Sequence, residues 1–174
     1  MDKQEIAIQL RNQCDLLIDW YRKDSIRRSD KVNGELWTAG QHLYHLLKIT
    51  KPLAVGMGMP NILLKLKFGS IRRPTVSYEA LKQKYQDSLT KGAKASGPYI
   101  PRDVKEGEIE TLLNRFEKAG SDLIKVLNQW SEKKLDKQKV LHPILEGLSL
   151  REMLYFTIFH IEHHRKILES RYEQ

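Results

Sequence analysis

"SLREMLYFTIFHIEHHRKIL", residues 149–168, places three of the chain's six histidines within five positions. Ser149 and Glu152 stand three apart ahead of an apolar run, the pattern of a capping box. A helix is therefore expected from Ser149 to about residue 171. Its first half, "LREMLYFTIF", is apolar almost all round, which predicts the most buried helix of the chain. At ~100° per residue, Leu150, Met153, Leu154, Thr157, Ile161 and Leu168 share one arc. His164 falls inside it, His160 lies at its edge, and His163 lies further out, near Glu152. His160 and His164 thus form an i, i+4 pair whose rings can converge. That spacing lets two imidazoles share one metal ion, as in the helical HExxH motif. "HIEHH" is not that motif, and HxxxH also arises by chance, so the pair needs a third ligand to define a site.

Outward from this helix, three more segments carry helical periodicity. Ile6, Leu10, Leu17 and Tyr21, with Leu16 and Trp20 alongside, mark a helix over residues 3–27, ended by the polar run "RRSDKVNGE". A second opens at "WTAGQ", where Thr38 and Gln41 form a capping box and Trp37 can pack on His42 as a hydrophobic staple. It runs through "HLYHLLKIT"; Pro52 either ends it or kinks it into "LAVGMGM". The third spans 104–131, with Ile109, Leu112, Phe116, Leu123, Leu127 and Trp130 on one stripe. Ala119 and Gly120 in its middle would let a neighbouring helix come close. Residues 53–103 form a long crossover rich in Gly and Pro. Within it, Tyr78, Leu81, Tyr85 and Leu89 mark a shorter surface helix stopped by Gly92. No strand is expected. The sum is an all-α chain, a single domain over 1–174, folded as a four-helix bundle with a long crossover between helices 2 and 3.

Composition narrows the function. The lone cysteine, Cys14, excludes a disulfide framework and a Cys-based zinc site within one chain. No run approaches the ~20 apolar residues of a membrane span, and "MDKQEIAIQL" lacks an apolar signal core. A cytoplasmic protein with no membrane partner is expected. The net charge of +8 is spread over scattered, interleaved basic residues. Without a basic stripe beside a recognition motif, it argues for a solvated surface and against nucleic acid.

A third imidazole can come from "HLYH" on the second helix. His42 lies nearer the face of Ala39, Leu46 and Ile49, whereas His45 sits at its margin, so the wheel mildly favours His42 and leaves the choice open. With His160 and His164, either would give a His₃ set with open positions, the catalytic pattern. His142, before Pro143, reads as a loop residue. Glu162 and His163 project mostly outward.

In order along the chain, these pieces resemble the DinB-like metalloprotein superfamily. The likeness rests on Trp37–Thr38 followed by "HL" at His45–Leu46, on "HP" at His142–Pro143 before a short turn, and on the closing HxxxH. The crossover "FGSIRRPTVSYEALKQKY" resembles a subset of members. The resemblance implies a four-helix bundle holding a divalent metal ion, commonly nickel or zinc, through His45, His160 and His164. Where members often have Gly in the turn after "HP", this chain has Glu146, with Gly147 one place later.

The resemblance further implies a small-molecule substrate, acted on by a thiol S-transferase using a low-molecular-weight thiol such as bacillithiol, or by a metal-dependent hydrolase. A non-enzymatic stress-related or DNA-associated binding protein is the competing class. Arg72, Arg73 and the crossover lysines are candidates to receive an anionic cosubstrate. Residues 56–75 are expected to roof the site, with Tyr78 or Tyr85 lining it. Trp20 and Tyr21, beside the main stripe of helix 1, together with the habit of the family, lead us to expect a homodimer.

Overall fold

The computed structural model describes residues 1–23 and 36–172. Among them are seven α-helices, α1 (Lys3–Lys23), α2 (Ala39–Met57), α3 (Asn61–Phe68), α4 (Tyr78–Thr90), α5 (Ile109–Leu127), α6 (Glu132–Lys137) and α7 (Leu150–Tyr172). A hairpin of β1 (Lys139–His142) and β2 (Glu146–Ser149) stands between α6 and α7. The chain is thus mostly helical. The expected last turn of helix 1, residues 24–27, lies outside the described residues.

Both expected caps form. The Thr38 hydroxyl accepts from Gln41 N while the Gln41 side chain accepts from Thr38 N at 2.9 Å. Ser149 and Glu152 exchange the same pair of bonds. Trp37 packs on His42, ring centroids 5.5 Å apart. α2 continues through Pro52 rather than ending there.

The long helices α1, α2, α5 and α7 pack on one another. Their core has two parts. One gathers Leu17, Leu43, Phe116 and Ile161, and the other Leu10, Leu123, Leu127 and Leu154. Gly120 lets α1 and α5 approach closely: a Cβ there would sit 3.0 Å from Cys14 Sγ. Trp20 and Tyr21 are buried in this core, Tyr21 donating to the Ala39 carbonyl at 2.6 Å. They cannot form the dimer surface expected of them.

Two further expectations need correction. The crossover is more structured than its Gly and Pro content implies, because α3 fits between Pro60 and Gly69. α4 lies on the surface as expected, with Leu81 and Tyr85 of its apolar face buried against α7. The chain also contains strands. β1 and β2 pair antiparallel with Val140 opposite Leu148, and the crossover meets the start of β1, Lys139 N donating to the Gly69 carbonyl at 3.4 Å.

Glu146 closes the hairpin turn at φ 63°, the left-handed region. A Cβ at such a φ is strained, which is why Gly suits this position. Glu146→Gly should stabilise the protein by roughly 0.5–1 kcal/mol. A denaturation midpoint that falls in this variant would show that the turn is not strained.

Candidate metal centre

α2 and α7 bring His42, His45, His160 and His164 together, and all four are buried. His45, His160 and His164 form the one group of three or more potential ligands among the described residues, with ligand atoms within 4.8 Å of one another. His160 Nε2 lies 3.4 Å from His45 Nε2 and 3.0 Å from His164 Nε2. Nitrogens bound to one ion at ~2.0–2.1 Å would stand roughly 2.9–3.4 Å apart, whether octahedral or tetrahedral. Both of these separations fit a shared divalent ion. Three inward lone pairs at this separation repel, and a proton can bridge only one pair at a time.

The outer nitrogens fit the same role. His45 Nδ1 lies 2.7 Å from the Tyr99 carbonyl and must donate to it, which leaves Nε2 as the free acceptor. His164 Nδ1 lies 2.7 Å from His42 Nδ1. If His164 Nε2 points inward, its Nδ1–H donates to His42. His42 then carries its own proton on Nε2, a buried atom without a hydrogen-bond partner, as is His160 Nδ1. His42, which the wheel mildly favours, meets His164 at its Nδ1 rather than at its Nε2. Helical periodicity does not separate the two roles, because both imidazoles are buried on α2.

Aromatic rings fix the cluster's faces. Trp37 stacks on His164 at 6.0 Å with planes 8° apart, and Phe156 stacks on His160 at 4.7 Å. Burial lowers the pKa of His45 and takes those of His160 and His164 well below the ordinary imidazole value. All three are neutral at pH 7, the form that binds a metal.

The three histidines line a cavity of about 1030 Å³. Its walls are mostly apolar, including Leu53, Met57, Leu64, Phe68, Met153 and Phe156. Tyr85 lines it as expected, but Tyr78 packs on Tyr155 instead. The cover comes from residues 56–68 and 94–99, so the second half of the expected roof is displaced. Arg73 forks onto the buried Glu152, with Nη2 2.8 Å from Oε2, and neither Arg72 nor Arg73 lines the cavity. The crossover lysines that do are Lys67 and Lys94. His163 is half-buried and lines the cavity, contrary to its outward placement on the wheel, whereas Glu162 pairs with Lys166.

His142 is buried rather than looped out. Its Nδ1 accepts from Ile144 N and Leu145 N at 3.1 and 3.0 Å and so shapes the hairpin turn. His142, like His163, lines the cavity without belonging to the cluster.

No curated protein matches the chain. A crystal structure of an uncharacterized protein from Clostridium difficile 630 aligns over 99% of this chain and 96% of that one, at 10% identity and a TM-score of 0.47. The model of the DinB superfamily matches residues 19–168. With most of its length matched in this way, the chain belongs to the DinB superfamily.

Proposed function

We propose that the chain is a single four-helix-bundle domain and a metal-dependent transferase or hydrolase, with His45, His160 and His164 holding a divalent ion. The convergence of three buried imidazole nitrogens on one point beside a large cavity carries this reading. Nickel and zinc both suit an all-imidazole set. Such an ion, held by uncharged ligands, supplies Lewis acidity that favours the deprotonated form of a thiol or water.

The chain's own residues do the rest. The Tyr99 carbonyl and His42 hold two of the rings in register. Trp37 and Phe156 shield ring faces from water. Among the described residues no Asp or Glu lines the cavity, and the bases beside the cluster are imidazoles. His142 has one nitrogen engaged by the turn, which leaves His163 as the better proton acceptor for an incoming thiol or water. Burial lowers the pKa of His163 and keeps it neutral near pH 7.

Among the described helices, none is long and apolar enough to cross a membrane. The reading places the protein in the cytoplasm as a homodimer, and the exposed Ile8 and Leu16 on α1 support a helix-face contact. The test is a panel of electrophiles with bacillithiol, glutathione or water as acceptor, assayed with metal-loaded and chelated protein. Turnover that requires metal is expected. Metal-independent turnover would refute the mechanism, and silence with every acceptor would favour a non-enzymatic binding protein.

A further inference from the structure

The cavity has a polarity that the histidine cluster does not explain. Lys48, Lys51, Lys67, Lys94 and Arg115 line it, and among the described residues no carboxylate does. Among the described residues, none of the five forms an ion pair with Asp or Glu. Lys48 and Lys67 reach only over the rings of Tyr44 and Phe68. Lys51, Lys67, Lys94 and Arg115 are exposed and Lys48 is half-buried, so the cations sit at the rim of an apolar interior.

The cavity is also long. Its α2 wall runs from Tyr44 to Met57 and its α7 wall from Leu150 to His164. At 1.5 Å per residue these walls extend for roughly 20 Å. Met59 and Leu63 line it while remaining partly exposed, which continues the apolar surface to the mouth. A small, strongly hydrated anion would leave this interior unused. A cation would be repelled at the rim, and a neutral hydrocarbon would leave the five charges uncompensated.

We infer that the cavity binds an amphipathic anion, a molecule with an extended apolar body held between α2, α3 and α7 and an anionic head held by the lysine-rich rim. This rests on the proposed function in that it names the substrate class of the same cavity, but it does not require the metal. The apolar body gains by leaving water for Leu53, Leu64, Phe68 and Met153. The head meets partly solvated ammonium groups, which stabilise it without the cost of full burial. A substrate held in this way presents its far end, or a group along its chain, to the histidine cluster.

Titration calorimetry below the micellar concentration tests this on the full chain, both metal-free and metal-loaded. Dodecanoate should bind both forms. Butyrate and dodecyltrimethylammonium should bind about tenfold more weakly or worse, a difference of ~1.4 kcal/mol. The triple variant Lys51→Glu, Lys67→Glu, Lys94→Glu changes exposed residues and should keep its metal content while losing about tenfold in dodecanoate affinity. Equal binding of dodecyltrimethylammonium, or an unchanged affinity in the triple variant, would overturn the inference. So would dodecanoate binding that appears only with metal, since the head would then sit at the histidines. If dodecanoate binds as expected but no metal does, the proposed function fails while this inference stands. If metal binds and dodecanoate does not, the reverse holds.

Discussion

Glu152→Ala should lower the unfolding free energy by about 3 kcal/mol and loosen the crossover. Glu152 is fully buried at the start of α7. Its carboxylate accepts both Arg73 Nη groups, Val76 N and Ser149 N. Truncation leaves the backbone donors at Val76 and Ser149 without these acceptors and removes half of the capping box. Arg73 is 43% exposed in its side chain and can return to water, so the loss falls mainly on the backbone. Because Arg73 and Val76 lie in the crossover, this one side chain ties the crossover to the helix that carries His160 and His164. Urea unfolding gives the magnitude, and hydrogen exchange at residues 69–76 should quicken selectively. Glu152→Gln keeps an acceptor and should lose less. Equal stability of Glu152→Ala and the parent would show that the tie contributes nothing.

Acid should unfold the metal-free protein early. His42 is lowered to about 3, by burial first and then by Arg171, His45 and His163. His142 is lowered to about 4 by burial. Both take up protons in the unfolded chain near pH 6.5 and resist doing so when folded. Their contribution is therefore complete above pH 6.5 and is lost as pH falls, down to about 4 for His142 and 3 for His42. By pH 5 each has cost about 2 kcal/mol, a large share of a domain's stability. The geometry agrees with the electrostatics, since a protonated His142 Nδ1 can no longer accept from Ile144 N and Leu145 N. The measurement is the urea midpoint of metal-free protein at pH 7.5, 6 and 5. A midpoint flat across that range would contradict the burial of these rings.

The parts of this structure that the sequence announces are those written in local chemistry. Thr38–Gln41 and Ser149–Glu152 mark two helix starts, because a cap is an interaction between residues three apart. Gly120 marks a close helix approach because only a missing Cβ allows it. The HxxxH pair follows from helical period alone. α3 and the hairpin escape because each is short: eight residues with leucines on several faces, and strands of four. Arg73 escapes because its partner Glu152 lies 79 positions away. The helical wheel does not separate His42 from His45, which stand ~60° apart on α2. Both are buried, one turned to His164 and the other to His160 and the Tyr99 carbonyl. Periodicity reports that a side chain is covered; it does not report what covers it.

Metal analysis of freshly purified protein by mass spectrometry, repeated on single histidine variants, bears most directly on the metal centre. The parent should carry about one divalent ion per chain. His45→Ala, His160→Ala and His164→Ala should each abolish occupancy. His42→Ala should still bind, with affinity weakened about 10–100-fold, because His42 only orients His164. Full occupancy in His160→Ala, or loss of the ion in His42→Ala with retention in His45→Ala, would contradict the assignment.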